Sequence, residues 1–346
     1  MKKILLIAVL LAAMLSGCTT KKDTLKVFNW GVYVDESVVK DFETKFNVRV
    51  IYDTFESNEA MYTKLQGGEY YDVLVPSDYM IERLIVEGKL QKIDMTKIPN
   101  AAGLITSLTK RPFDPKDEYS VPYFWGNVGL VYNNENVALS DLETEGWKIL
   151  ADTKYKGKIY IYDSERDAFM IASKALGYSA NSDNAAEVQA AFEFLSKINS
   201  TMDPVYVTDD AIDNMISGVK DIAVMYSGDA AYIVMENNKM SYFVPKEGTN
   251  VWVDSMVIPT DAKNVALAHE WINYMLDPAV ALKNTEFVGY TTPVQSVYDQ
   301  VTAAGGTYEG IEAYTPRLDN ALDESFRHNE ELKKTLSTLW TKIKAE

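Results

Sequence analysis

Leu25-Lys26-Val27-Phe28, Val48-Arg49-Val50-Ile51-Tyr52 and Asp72-Val73-Leu74-Val75 are three short β-rich runs whose spacing decides the fold. Each is followed by a helical pattern. Asp35 can cap a helix whose apolar face is Val38, Val39, Phe42 and Phe46. Ser57 and Asn58 can open a second helix through Met61 and Leu65, stopped by Gly67-Gly68. Residues 81–86 continue as helix up to Gly88. A β-α-β-α-β-α series of this kind implies a parallel sheet joined by crossover helices.

Downstream the alternation resumes. Residues 158–162, 205–207, 222–225, 242–244 and 251–258 read as strands. Helices are expected over 168–176, 187–198, 229–236, 265–276 and 279–287, and 330–343 is amphipathic. The length of 346 residues suits two domains better than one. No internal repeat is visible, which speaks against a solenoid.

Upstream, Met1-Lys2-Lys3 is a basic start, and residues 4–15 are an apolar run too short to span a bilayer as a mature helix. Residues 1–17 therefore read as a secretory signal peptide. Its end, Leu15-Ser16-Gly17-Cys18, resembles the bacterial lipobox, in which the cysteine is lipidated and becomes the new N-terminus. Cys18 is the single cysteine of the chain and stands where that pattern needs it. Residues 18–24 then form a lipidated tether, and two acyl chains suffice for stable anchoring. The expected location is extracytoplasmic, at the surface of a bacterial membrane. A Gram-negative cell would make that the periplasm.

Composition narrows the chemistry. With 34 Lys+Arg against 50 Asp+Glu, the formal charge is −16, which disfavours a nucleic-acid partner. One cysteine and two histidines permit neither an internal disulfide nor a Cys/His zinc site. No G-x-S-x-G elbow, P-loop, dinucleotide fingerprint, H-E-x-x-H or calcium loop is found. A binder is expected rather than an enzyme, with no metal or cofactor.

Ligands of open α/β sheets bind at the carboxyl ends of strands. There this chain places Trp30 and Tyr33, then Ser77 and Tyr79, then Asp167, Tyr226 and Asp229. Trp252 and Asp254 lie in the late strand, and Tyr290 follows the last helical segment. Asp167 and Asp229 could each instead be a helix N-cap. Asp254 is harder to dismiss, because an unpaired carboxylate in an apolar strand costs several kcal/mol. Aromatic faces attract ammonium groups by about 0.5–2 kcal/mol each. Rings also cover methylene stems at about 0.8 kcal/mol per CH₂. Carboxylates accept charge-assisted hydrogen bonds. A flexible apolar chain with an ammonium at each end would use all three effects.

Several segments carry a family resemblance. They are residues 27–34, 54–62, 71–77 and 119–126, with Pro245-Lys246-Glu247-Gly248, Trp252-Val253-Asp254-Ser255 and Gly289-Tyr290-Thr291-Thr292-Pro293. In order and spacing they resemble the spermidine/putrescine-binding proteins, the substrate receptors of polyamine ABC importers. The resemblance runs from about Leu25 to the C-terminus. It implies a two-lobed, type II periplasmic-binding-protein-like fold, each lobe a mainly parallel sheet flanked by helices. Lobe 1 would be 25–127 plus 253–298, and lobe 2 would be 131–249 plus 301–346. Hinge crossings are expected near 128–130, 250–252 and 299–301.

The resemblance also implies a ligand set: Trp30, Tyr33, Ser77, Tyr79, Asp167, Tyr226, Asp229, Trp252, Asp254 and Tyr290, with Thr208 as a weaker polar contact. Asp254 would take one ammonium, Trp252 the methylene chain, and Asp167 and Asp229 the remaining ammonium groups. Implied partners are a polyamine and the membrane permease subunits of an ABC transporter, with a monomeric receptor between them. Two departures stand out. Spermidine-type members carry an acid where this chain has Val32, and another where it has Ser164. Asp229 looks more like putrescine-type members, and Tyr226 replaces a tryptophan often found there. A receptor for both polyamines is the expectation, with spermidine ahead on overall similarity. The residues alone leave open a receptor of the same fold for a sugar, a peptide or another cation. An enzyme using the acids as an acid/base pair is the remaining alternative.

Overall fold

The computed structural model describes residues 22–208 and 210–345. The expected signal peptide and Cys18 lie outside the described residues. The first elements are β1 (Thr24–Trp30), α1 (Glu36–Phe46), β2 (Arg49–Phe55), α2 (Asn58–Gln66), β3 (Val73–Leu74) and α3 (Asp78–Val86). Their caps are those the sequence offers. Asp35 accepts from the Ser37 amide, and Asn47 ends α1 in the left-handed conformation. Ser57 accepts from the Ala60 amide and leaves the Asn58 side chain free for other work.

β4 (Ser120–Asn133) comes next, buried along its whole length. It is followed by α4 (Leu139–Glu145), β5 (Ile159–Tyr162), α5 (Glu165–Ala175), α6 (Ala185–Met202), β6 (Val205–Val207) and α7 (Ala211–Ile216). Then come β7 (Ile222–Tyr226), α8 (Ser227–Glu236), β8 (Met240–Phe243) and β9 (Val251–Val257). The last helices are α9 (Val265–Met275), α10 (Pro278–Val288), α11 (Gln295–Thr302) and α12 (Glu330–Ala345).

The strand order is β2-β1-β3-β9-β4-β7-β5-β6, with β8 paired to β4 off that path. The outer trios are parallel: β1 with β2 and β3, and β5 with β6 and β7. The centre is antiparallel, β9 lying between β3 and β4 and β4 pairing β7 and β8. β4 changes partner midway. Ser120 to Asn127 pair with β9, whereas Val128 to Tyr132 pair with β7. One extended strand thus belongs to both halves of the sheet. Residues 299–301 lie inside α11.

One apolar cluster runs through both halves, from Val27, Val38 and Met256 to Val131, Ala223 and Met225, and each half adds a core of its own. α3 buries Met80, Ile81 and Leu84 against Phe28, Leu74, Val253 and Val257. In the other half, Leu130, Ile159, Ile161 and Val224 pack with Met170, Ile171 and Ile198. α12 lays Leu336, Trp340 and Ile343 on Phe169, Ala172 and Leu195 of α5 and α6. Each such side chain contributes about 1.5–3 kcal/mol when fully buried. The architecture is the expected α/β one, refined by an antiparallel centre.

Candidate functional site

Asp254 organises one end of the site. It lies in β9 two residues from Trp252, so both side chains leave the same face of the strand. β9 runs past the end of β3, and Ser77 pairs with Asp254 across that gap. The Ser77 hydroxyl donates to Asp254 Oδ1 at 2.6 Å and the Tyr33 hydroxyl to Oδ2 at 2.8 Å. Asp254 is 6% exposed. Burial pushes its carboxyl up to about 6, against the pull of the Ser77 and Tyr33 hydrogen bonds.

A row of rings runs from this point. The centroids of Tyr33 and Tyr290 lie 5.8 Å apart, those of Tyr290 and Trp252 5.2 Å, and those of Trp252 and Tyr226 6.3 Å. Tyr226 continues to Tyr162 at 4.9 Å. Every contact in the row is edge to face, the arrangement that opposes negative ring faces to positive edges. Tyr290 fits because residue 228 is glycine: a Cβ there would stand 2.1 Å from the Tyr290 ring.

Three tyrosines of the row each hold a carboxylate. Tyr33 donates to Asp254, Tyr290 to Asp229 at 3.1 Å, and Tyr226 to Asp167 at 2.7 Å. Burial, with Asp254 beside Tyr33 and Asp167 beside Tyr226, holds those two phenols well above their ordinary range, so they remain donors. Asp167 is 3% exposed, and its Oδ1 is buried without a hydrogen-bond partner. Burial raises its pKa. The Trp252 Nε1 is likewise buried and unpartnered. Neither acid is an N-cap. Ser164 caps α5 by accepting from the Asp167 amide, and Tyr226 holds the cap position of α8, which places Asp229 in its first turn.

Tyr79 and Ser77 are tied together through Asn58, whose amide donates to both hydroxyl oxygens at 3.1 Å. Asn58 was not among the expected ligands. The signal was its place one residue after the helix cap at the end of β2. Trp30 is half-buried, its ring 4.6 Å from Phe55, and its Nε1 is buried without a partner. Val32 is 79% exposed and left-handed at φ 51°, at the tip of the loop between Trp30 and Tyr33. Thr208 is not brought to the row. It is exposed, and its amide and hydroxyl both turn to Asp210. Chemically the assembly is an aromatic wall with carboxylates at intervals along it, two buried and one half-buried, suited to an elongated organic cation.

Comparison with known proteins agrees in kind. The family profile of bacterial extracellular solute-binding proteins matches residues 37–309. The spermidine/putrescine-binding periplasmic protein of Salmonella typhimurium is 35% identical over 273 residues, covering 78% of each chain. Among solved structures, the spermidine/putrescine ABC transporter substrate-binding protein PotD of Streptococcus pneumoniae superposes with a TM-score of 0.80 at 34% identity. That match covers 93% of this chain and 99% of the other. The Tp0655 (TpPotD) lipoprotein of Treponema pallidum gives a TM-score of 0.79 at 27% identity, over 93% and 99% of the two chains.

Proposed function

The chain belongs to the bacterial extracellular solute-binding proteins, and on that premise we propose that it is the polyamine receptor of an ABC importer. It captures spermidine or putrescine outside the cytoplasm and delivers it to a membrane permease. It is a carrier and not an enzyme.

The observation that carries the ligand assignment is the row Tyr33–Tyr290–Trp252–Tyr226 with a carboxylate hydrogen-bonded to each of its three tyrosines. A sugar would also stack on rings, but it gives no return for two buried acids and a third half-buried one. An alkylammonium does, because each ionised carboxylate in a dry site needs a countercharge. In this reading Asp254 holds one ammonium and Asp167 and Asp229 the others. Trp252 and Tyr290 cover the methylenes, and Trp30, Ser77 and Tyr79 complete the walls. Lobe 1 (25–127 plus 253–298) and lobe 2 (131–249 plus 301–346) close on the ligand by flexing where β4 changes partner. The receptor acts as a monomer.

Calorimetric titration of the soluble domain tests this. Spermidine and putrescine should bind with heat and raise the melting temperature, while a neutral sugar does neither. Native mass spectrometry of freshly purified protein should show a co-purified polyamine mass. No binding of either polyamine at millimolar concentration sinks the assignment.

We further propose that Cys18 is lipidated and tethers the receptor to the membrane. A Treponema pallidum relative is described as a lipoprotein, and the Leu15-Ser16-Gly17-Cys18 sequence supports the same here. Cys18→Ala is expected to move the protein from the membrane fraction to the soluble one. Unchanged membrane retention, with no acylated N-terminal peptide by mass spectrometry, would refute it.

A further inference from the structure

One face of α3 is committed to the apolar core through Met80, Ile81 and Leu84. The opposite face carries Tyr79, Glu82 and Arg83, spaced three and four apart and therefore neighbours on the helix surface. All three meet residues from distant parts of the chain. Arg327 Nε lies 3.1 and 3.0 Å from the two Glu82 oxygens, and its Nη2 donates to Glu82 Oε1 at 2.5 Å. The His328 amide adds a bond to Glu82 Oε2 at 2.8 Å. Arg83 Nη1 lies 3.3 Å from Glu330 Oε2. The Arg166 guanidinium sits 4.0 Å above the Tyr79 ring.

These partners come from the first turn of α5 and from the entry to α12. Both helices are anchored with α6 in a core separate from that of α3. The contact between the halves at this place is therefore charged and aromatic rather than apolar. We propose that Glu82 and Arg83, engaged by Arg327 and Glu330, form an ionic clasp that holds the two halves together and sets how fast the ligand leaves.

An isolated surface ion pair is worth little. Glu82 differs. Its side chain is only 17% exposed, it takes a forked guanidinium, and a backbone amide completes its shell. The contacts also join halves that separate on opening, so they exist in one state and not in the other. Such a differential contact is what shifts a two-state equilibrium. The clasp lies outside the aromatic row, so it tunes residence time without touching the acids that recognise the cation. This inference rests on the proposed closing motion, but not on the identity of the ligand.

The test uses Glu82→Gln, Arg327→Gln and the charge swap Glu82→Arg with Arg327→Glu. Stopped-flow tryptophan fluorescence reads ligand release, and small-angle X-ray scattering reads the ligand-free shape. Each single variant should speed release of spermidine by about fivefold or more and enlarge the ligand-free radius of gyration. The swap should return both toward the parent. High salt should speed release from the parent more than from the variants. Parent-like release and scattering in both single variants would overturn the clasp. If the parent binds no polyamine, the functional reading fails, yet the scattering comparison still decides the clasp.

Discussion

Asp254→Asn is expected to weaken polyamine binding by roughly thirtyfold or more while leaving the free protein at least as stable as before. The affinity loss follows from removing the fixed countercharge of a buried ammonium. Truncating one partner of a buried, hydrogen-bonded charge pair costs about 2–5 kcal/mol. At about 1.4 kcal/mol per decade, that is roughly a thirtyfold to several-thousandfold rise in Kd. The stability half of the expectation follows from the same burial. In the free protein the Asp254 carboxyl is pushed up to about 6, so at neutral pH the fold holds a desolvated charge it would rather protonate. Asparagine removes that charge and retains an oxygen to accept one of the two hydroxyls now given by Ser77 and Tyr33. Calorimetry and thermal melting check both halves together. An affinity within about fivefold of the parent would remove Asp254 from its role. A loss of binding accompanied by a collapse in melting temperature would make it structural instead.

The parts of the fold that were legible are those governed by local rules. Asp35 and Ser57 cap the helices they precede, and the alternation from Leu25 onward is a strand whose parallel partners lie on both sides. β4 was not legible as a strand. Buried on both faces, it has no alternation to betray it, and it is broken by Pro122, Gly126 and Gly129, which read as loop punctuation. Pro122 falls where the register with β9 slips. Gly126 is there because a Cβ would stand 2.5 Å from the Trp252 ring. The glycine that hides the strand in the sequence is the one that lets the site's tryptophan pack on it.

The site divides in the same way. Strand ends located the acids and the rings, because that rule concerns topology and not contacts. Which tyrosine serves which acid was not visible. Tyr226 and Asp167 are 59 residues apart, Tyr290 and Asp229 are 61, and Tyr33 and Asp254 are 221. The α3 clasp was hidden for a related reason. Glu82 and Arg83 look like an ordinary solvated helix face until the chain near Arg327 returns to meet them.

Binding should weaken steeply as the pH falls below about 6, and the free protein should move the opposite way. The ligand's amines, near pKa ~10 like lysine, stay charged throughout, so only the protein titrates. Protonating Asp254 removes its countercharge, and Asp167, raised by burial, follows in the same direction. One required carboxylate gives about a tenfold loss of affinity per pH unit on the acid limb, and two coupled ones give more. The sign for folding is reversed. With the folded pKa of Asp254 raised to about 6 from an ordinary 3.8, its protonation stabilises the fold fully below 3.8. That contribution is lost as the pH rises through about 6, an order-of-magnitude loss of ~3 kcal/mol from this one group. The increase in melting temperature on adding spermidine should therefore be large at pH 7.5 and small at pH 5. Asp78, pushed up to about 8 by burial, titrates in a higher window than the limb below neutrality to which Asp254 contributes. Asp254→Asn should flatten that limb in the free protein. A parent whose affinity and ligand-induced melting shift are both level from pH 7.5 to 5 would show that ionised carboxylates are not what holds the ligand.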